Sequence, residues 1–355
     1  MSRLLSPLKI KDVEFRNRIF LSPMCQYSAQ DGLPNDWHFV HLGSRAVGGA
    51  GLIIAEATAV SPEGRITPGD LGIWNDDQGR AFERIVRFVS HQGAVPGIQI
   101  GHAGRKASTM IPWHGDGAVS ASDGGWEVLA PSAARFSNHY PQPRMMTAGD
   151  IEAVIGQWGA AARRCREAGF QVVEIHMAHG YLLHQFLSPL SNQRNDQYGG
   201  SLENRMRFPL AAARAVRQNW PDRLPLFVRI SATDWIEGGW DLEQSLVLVG
   251  KLKEIRVDLI DCSSGGVAPG AKIPTEPGYQ AKFAEEIRRQ AGIFTGAVGQ
   301  ITDPVQAESI LVSGQADAII IARELLRDPY FPLRAAKRLG DDPCYPPQYV
   351  RARPK

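Results

Sequence analysis

The chain has 355 residues, of which 43% are hydrophobic and 21% charged, the composition of a globular protein with enough residues for a full core. The formal charge of +2 and the scattered Lys and Arg residues do not indicate nucleic-acid binding, and no apolar stretch has the length of a membrane span. Four widely separated cysteines without a Cys-x-x-Cys pair argue against a zinc ribbon or a clustered iron–sulfur site. Together with the absence of an export signal in the N-terminal sequence, they favour a cytoplasmic location.

Short β-rich or apolar runs alternate along the chain with stretches long enough for a helix. The runs predicted as strands are residues 18–21, 52–55, 95–100, 172–175, 226–230, 259–262, 293–295 and 318–321. Eight strands alternating with helices predict a parallel sheet closed into a (β/α)₈ TIM barrel, with an open doubly wound sheet as the alternative. The glycines from Gly48 to Gly51 precede a predicted strand, so they indicate a tight turn rather than a dinucleotide-binding loop.

Three of the predicted helices have clear start signals. Thr147 and Asp150 form a capping-box pattern ahead of an apolar stripe at helical spacing. A second helix is predicted to begin at Asp241, and a third at Thr302, with Pro304 near its first turn.

One loop is much longer than the others. Residues 101–147 are rich in Gly, Pro, Ser and Trp and exceed an ordinary connection after a third strand. In a barrel, this excursion is expected to form a lid over the face where active sites lie. No linker marks a second domain, so residues 1–355 are expected to form one domain that ends in a tail over residues 340–355.

The fourth predicted strand ends in three polar rings. If the chain turns helically there, His176 and His179 can point the same way and place two N–H donors on one substrate oxygen. The hydroxyl of Tyr181 would then lie nearby as a proton source. The same two imidazoles could instead hold a metal, as in a metal-dependent barrel lyase or hydrolase. No cluster of carboxylates accompanies them, which favours the carbonyl-binding interpretation.

Polar residues at the other strand ends suit a planar, phosphorylated cofactor. Gln99 offers an amide donor and an acceptor, and Arg229 inside a barrel needs an anionic partner. Arg323 lies beside Gly-containing turns that suit a phosphate group. Flavin mononucleotide (FMN) meets all of these demands.

Four stretches give the chain a family resemblance. They are NRIFLSPMCQY (17–27), QIGHAGRKA (99–107), HMAHGY (176–181) and the highly specific SPLSNQRNDQYGGSLENR (188–205). The chain resembles the old yellow enzyme family of FMN-dependent ene-reductases, in particular its thermophilic-like subclass with the xenobiotic reductases. The resemblance extends nearly from end to end.

The resemblance implies an FMN-dependent NAD(P)H oxidoreductase that reduces activated C=C bonds of enones and enals, and also nitro compounds. Hydride would pass from flavin N5 to the β-carbon of an α,β-unsaturated carbonyl substrate. His176 and His179 would hold the carbonyl oxygen, and Tyr181 would protonate the α-carbon. NADPH or NADH would reduce the flavin. By the same resemblance, the FMN site comprises Ser22, Pro23, Met24, Cys25, Ala57, Gln99, Arg229, Ala322 and Arg323.

Several implied roles have alternatives. Tyr27 resembles a substrate-contacting residue, or else an aromatic lid over the flavin. Cys25, where many members have Thr, would tune the redox potential, or else is an inert buried thiol. Arg351 resembles an arginine that reaches the site of a neighbouring subunit in a homo-oligomer (dimer or tetramer), or else is a solvated charge of the tail. Ala322 stands where Gly is common. A flavin-binding protein with a non-catalytic role, such as sensing, is a further hypothesis.

Overall fold

The computed structural model describes residues 1–353, so residues 354 and 355 of the predicted tail lie outside it. The strands are β1 (Leu8–Ile10), β2 (Val13–Phe15), β3 (Ile19–Leu21), β4 (Leu52–Ala59), β5 (Val95–Gly101), β6 (Leu129–Ala130), β7 (Arg144–Met145), β8 (Val172–Met177), β9 (Leu226–Ser231), β10 (Leu259–Ser263), β11 (Phe294–Ala297) and β12 (Ala318–Ile321). The α-helices are α1 (Asp36–Val47), α2 (Asp76–His91), α3 (Ala148–Glu167), α4 (Leu182–Leu187), α5 (Leu202–Asn219), α6 (Leu242–Glu254), α7 (Ala281–Ala291), α8 (Pro304–Val312), α9 (Arg323–Arg327) and α10 (Phe331–Arg338). None of the helices formed by residues 1–353 is both long and apolar enough to cross a membrane.

Eight of these strands form a closed parallel barrel. Their order is β3, β4, β5, β8, β9, β10, β11 and β12, and β12 pairs with β3 to close the ring. Every barrel strand overlaps one of the predicted runs, and β8, β9 and β10 are buried along their whole length. Burial on both faces explains why these strands read as continuous apolar runs, because helices cover the outside while side chains fill the interior. The TIM-barrel prediction is confirmed, and the open doubly wound alternative is wrong.

A short hairpin covers the N-terminal end of the barrel. Strands β1 and β2 pair antiparallel, and Phe15 at the end of β2 lies with its ring centroid 4.8 Å from that of Phe20 and 6.4 Å from that of Phe227. All three rings are fully buried. This aromatic cluster fills the end of the barrel opposite the C-terminal ends of the strands, which therefore remain as the place for a site.

The predicted helix starts agree with the structure in two of three cases. Thr147 caps α3 by accepting from the Asp150 amide at 3.1 Å, while the Asp150 carboxylate accepts from the Thr147 amide at 2.7 Å. Asp241 caps α6. The start predicted at Thr302 is wrong by one residue, because Asp303 is the cap. Its carboxylate accepts hydrogen bonds from two amides of the first turn of α8, at 2.8 and 3.1 Å.

The excursion over residues 101–147 begins at the last residue of β5 and returns at the cap of α3. It contains the short parallel pair β6 and β7. Arg194, from the 188–205 stretch, connects the middle of the excursion to its C-terminal end, because Nη1 donates to the carbonyl oxygens of Pro131 at 3.0 Å and Met146 at 2.7 Å. On its inner side, a small apolar cluster that includes Ala103 and Val128 packs against Tyr181. The excursion therefore contacts the C-terminal face of the barrel directly.

Candidate active site

A sharp turn after β8 brings the three predicted rings together. The ring centroid of His176 lies 5.1 Å from that of His179 and 4.9 Å from that of Tyr181. The helical turn considered from the sequence does not form here. His179 and Gly180 both have left-handed backbone conformations instead, with φ of +60° and +71°. A Cβ atom on Gly180 would lie 2.1 Å from the carbonyl oxygen of Gly266, so only glycine fits at this position.

Neighbouring elements hold this turn through its backbone. The amide of His179 donates to Ser231 Oγ at 2.9 Å, and the amide of Gly180 donates to His184 Nδ1 at 2.9 Å. His184 Nε2 lies 3.0 Å from Asp234 Oδ1 in a fully buried pair. These contacts stabilise the left-handed residue His179, a conformation that otherwise costs about 1–2 kcal/mol.

Lys106 links the turn to the loop after β10. Its Nζ donates to the carbonyl oxygens of His179 at 2.8 Å and Gly266 at 2.7 Å, and burial lowers its pKa to about 7. Sequence reasoning did not single out Lys106, His184 or Asp234. Lys106 lies within one of the four family stretches, which was the available signal, whereas nothing local indicated the pairing of His184 with Asp234.

Burial fixes the protonation of the three rings. It lowers the pKa of both His176 and His179 well below the ordinary value, and the charge of Arg229 lowers them further. Each imidazole is therefore neutral at neutral pH, with one N–H. His176 Nδ1 accepts from the Ala178 amide at 3.3 Å, so its proton lies on Nε2. His179 Nε2 forms a 2.7 Å hydrogen bond with the hydroxyl of Ser263. Burial also raises the pKa of Tyr181, which keeps its phenol protonated.

The two histidines have no further side chains that would complete a metal site. Within residues 1–353, no group of three or more His, Cys, Asp or Glu side chains is arranged to hold a metal ion. The geometry instead places three rings that have N–H or O–H donors close to one another.

Arg229 is on β9, between β8 and β10, and forms polar contacts with residues on or next to other strands. It stands opposite His176 of β8 and Asp261 of β10, and its Nε lies 3.2 Å from Asp261 Oδ2. Its Nη1 donates to Ser22 Oγ, after β3, at 3.0 Å. The sequence indicated that Arg229 needed an anion, but not that Asp261 is one. Gln99 of β5 donates from Nε2 to Glu174 Oε1 of β8 at 2.8 Å.

Arg229 also lines a cavity of about 220 Å³ at the ends of β11 and β12. Ala322 and Arg323 line the same cavity, together with Gly299 and Arg327. The structure thus brings together three of the predicted cofactor residues at a cavity lined by three arginines and one acidic residue, Glu324, which pairs with Arg327. Other lining residues that sequence reasoning missed are Tyr279 and Gln280.

The residues after β3 form another side of the site. Burial, and then the negative charges of Asp70 and Glu56, raise the pKa of the Cys25 thiol well above its usual range, so Cys25 is protonated. Pro23 is buried and Met24 packs against the core. Tyr27 has a left-handed backbone.

Two further predicted residues have different surroundings. Ala57 lines a small cavity together with His176 and Tyr181. Arg351 is exposed on a 3₁₀ turn, Pro347–Ala352, and makes no ion pair with another described residue. The structure therefore does not bring Arg351 into the site of its own chain.

These residues fit FMN. The buried amide of Gln99 and the guanidinium of Arg229 can serve the polar edge of a heterocycle, and the cavity with Arg323 and Arg327 can hold a phosphate. Gln99 and Arg229 are buried and still have groups that could form further hydrogen bonds. Such burial is unfavourable unless a ligand forms those bonds. The donor set thus supports the flavin expected from the sequence.

Comparison with known proteins agrees with this fit. A family model described as the NADH:flavin oxidoreductase / NADH oxidase family matches residues 3–342. The chain is 48% identical over 354 residues to an NADPH dehydrogenase of Listeria innocua serovar 6a, with 99% of each chain covered. It is 50% identical over 350 residues to an NADPH dehydrogenase of Geobacillus sp. strain WCH70, with 98% of each covered. The solved structure of morphinone reductase matches with a TM-score of 0.81 at 27% identity, over 98% of this chain and 92% of that one. The chain therefore belongs to the NADH:flavin oxidoreductase / NADH oxidase family and is, as predicted, an FMN-dependent oxidoreductase.

Proposed function

We propose that this enzyme uses NADPH to reduce activated carbon–carbon double bonds, with α,β-unsaturated carbonyl compounds such as enones and enals as substrates. The observation that supports this proposal is the convergence of two neutral imidazoles and one protonated phenol at the end of β8. The names of the two relatives favour NADPH as the hydride donor over NADH. The family assignment does not support the metal-dependent lyase or hydrolase alternative.

When bound, FMN would supply the redox chemistry, which is hydride transfer between the nicotinamide donor and the substrate. Ser22, Pro23, Met24, Cys25, Ala57, Gln99, Arg229, Ala322 and Arg323 would hold it. The chain's own task is then to bind and polarise the substrate. His176 donates from Nε2–H to the substrate carbonyl oxygen, and His179 donates to the same atom. These two hydrogen bonds stabilise the negative charge that grows on that oxygen.

Tyr181 completes the reduction by giving its phenolic proton to the α-carbon, and it is reprotonated from solvent. Its raised pKa keeps this proton in place at neutral pH. Lys106 and His184 act on the backbone of the turn and so keep the three rings in position.

The excursion is proposed to cover the substrate. Trp113, in the excursion, lies edge-on to Tyr27 with ring centroids 6.0 Å apart, so the excursion reaches the residues that follow β3. Tyr27 would contact the substrate from there. Exclusion of water strengthens the hydrogen bonds from the histidines.

The experiment that tests the function is a stepwise flavin titration. The purified protein should be yellow, should bleach anaerobically with NADPH, and should recover its colour when 2-cyclohexenone is added. NADH in place of NADPH tests the donor, and a nitro compound in place of the enone tests the second class of acceptor. Bleached protein that none of these acceptors reoxidises would contradict the proposal and support a non-catalytic flavoprotein. Stoichiometric zinc with chelator-sensitive turnover would instead favour a metal-dependent enzyme.

We also propose that the protein is a cytoplasmic homo-oligomer in which Arg351 reaches a neighbouring site. Support comes from the exposure of Arg351 on the tail and from the family resemblance. Light scattering should give a mass above that of one chain. Arg351→Ala should raise KM for the enone several-fold while the rate of flavin reduction by NADPH stays the same, and Arg338→Ala on α10 is the control. A monomer, or equal effects of the two variants, would contradict this proposal.

A further inference from the structure

Four buried polar side chains lie on four adjacent strands of the barrel, as two pairs of opposite residues. Gln99 on β5 stands opposite Glu174 on β8, and Arg229 on β9 stands opposite Asp261 on β10. Glu174 and Asp261 have no exposed surface, and Gln99 and Arg229 have only 2% and 6%. We call these four residues the charged layer.

The charged layer contains two carboxylates but one cation. Asp261 pairs with Arg229, with 3.2 Å between Oδ2 and Nε. Glu174 makes a single hydrogen bond, which it accepts from Gln99 at 2.8 Å, and its Oε2 has no hydrogen-bond partner in the described chain. If both carboxylates were ionised, the layer would have a net charge of −1 in the barrel interior. Burial of an ion without a compensating charge is strongly unfavourable.

Glu174 has no evident role in stability. It caps no helix and forms no ion pair among residues 1–353, and barrel interiors are normally filled by apolar side chains. A buried carboxyl group without an ion-pair partner, beside residues that fit a cofactor, is a candidate functional position. Its neighbours in the site are Gln99 and Arg229, two residues that fit FMN.

Burial and the charge of Asp261 raise the pKa of Glu174 to about 8, while Arg229 and Gln99 act in the opposite direction. Burial raises the pKa of Asp261 to about 6, again opposed by Arg229. The layer therefore holds one proton near neutral pH, on Glu174. His176, two residues along β8 from Glu174, is neutral in this range.

We propose that Glu174 is a positioning residue for the flavin, because it orients the amide of Gln99 and sets the net charge around Arg229. An ionised Glu174 can only accept, so it binds the Gln99 Nε2 group and leaves the amide oxygen as an acceptor for the ligand. A protonated Glu174 can still accept through Oε1, as in the structure, and it also gains a donor, so its protonation changes the hydrogen bonds available to the Gln99 amide. The reduction potential of the flavin then depends on the proton held by Glu174. This inference rests on the FMN cofactor and is independent of the alkene substrate.

The test is the reduction potential of the holoenzyme measured against pH, by photoreduction with a reference dye and without NADPH or enone. The wild-type plot should change slope where Glu174 loses its proton, because the layer then gains a negative charge that opposes reduction. Glu174→Gln keeps the size and an acceptor for Gln99 but cannot ionise, so that change of slope should be lost and the potential at alkaline pH should rise. Glu152→Gln, an exposed glutamate on α3, is the matched control and should keep the wild-type plot.

A second measurement needs no variant. The infrared difference spectrum between reduced and oxidised wild-type protein should contain the carbonyl band of a protonated carboxyl group, shifted in heavy water. Identical slopes for wild type and Glu174→Gln, or no such band, would overturn the proposal. A protein that shows both signatures but reduces no enone would contradict the proposed substrate alone.

Discussion

Burial shifts the pKa values of the three rings at the end of β8 in opposite directions, and each shift keeps its ring neutral. It raises the pKa of the acidic Tyr181 and lowers the pKa of the basic His176 and His179, so all three are neutral across the physiological range. Neutral imidazoles remain hydrogen-bond donors and the phenol retains its proton. The surroundings of the two histidines therefore decide their protonation state.

Tyr181→Phe should separate the two half-reactions. Removing the hydroxyl removes the proton donor, so reoxidation of the flavin by an enone should slow by about 10²–10⁴-fold. Reduction of the flavin by NADPH does not use this proton and should keep its rate. Stopped-flow absorbance measures both steps, with Tyr198→Phe as a control tyrosine outside the site. Equal losses in the two steps would show that Tyr181 is not the proton donor.

At the scale of elements, the site depends on a turn that local sequence preference does not explain. The loop after β8 and the loop after β10 approach each other closely at Gly180 and Gly266, and Lys106 bonds to carbonyl oxygens on both. The left-handed backbone at His179 is maintained by hydrogen bonds from other strands. The packing of neighbouring strands and loops therefore imposes the conformation of this turn. The local sequence, with glycine at position 180, only allows it.

Gly180→Ala should damage both stability and catalysis. The new methyl group would collide with the Gly266 carbonyl oxygen and would also strain a left-handed residue, so the free energy of unfolding should fall by more than ~2 kcal/mol. Displacement of Tyr181 should slow the enone half-reaction most. Urea unfolding and stopped-flow absorbance provide the two measurements.

Gly340→Ala separates the two causes. Gly340 also has a left-handed backbone, with φ of +76°, but nothing lies within 4 Å of its Cβ position. The free energy of unfolding of this variant should fall only by the ~1–2 kcal/mol that backbone strain costs, and the variant should keep full activity. If both variants lost the same stability and kept the same activity, the close approach at Gly266 would not matter.

At the scale of the molecule, buried titratable groups determine how stability depends on pH. Glu174 and Asp70 have folded-state pKa values of about 8 and 7, raised from 4.5 and 3.8 mainly by burial. A carboxyl group whose pKa is higher in the folded chain stabilises the fold at low pH. This stabilisation is lost as the pH rises from the unfolded pKa through the folded pKa. His41 and His102 have folded-state pKa values of about 3 and 4, lowered from 6.5 by burial. The stability that these two histidines contribute to the fold is lost as the pH falls below 6.5, because the unfolded chain then binds protons that the folded chain does not.

These two effects oppose each other between about pH 4.5 and 6.5, so the melting temperature of the holoenzyme should change little in that range and should fall as the pH rises from 6.5 to about 8. Glu174→Gln should remove part of the alkaline loss, so its advantage over wild type should grow as pH rises from 5 to 9. Scanning calorimetry at constant ionic strength and saturating FMN measures both curves. A variant that parallels wild type throughout would show that Glu174 does not hold a proton in the folded state.

The sequence by itself determined the barrel and the chemistry available to it. Eight short apolar runs with helical stretches between them predict the closed sheet, because burial on two faces leaves a local pattern. His176, Tyr181, Arg229 and Gln99 could be named because polar residues at strand ends stand out against apolar strands. Capping of α3 at Thr147 was predictable for the same reason, since its partner lies within the same turn.

Only the tertiary structure decided which residues meet. Asp261 beside Arg229, Glu174 beside Gln99 and Lys106 on the carbonyl of His179 join strands and loops that are far apart in the chain. These pairs depend on barrel closure and strand register, which arise from packing of the whole sheet and leave no local signal. The same packing sets the dielectric surroundings of each group, and thereby the protonation on which the proposed chemistry depends.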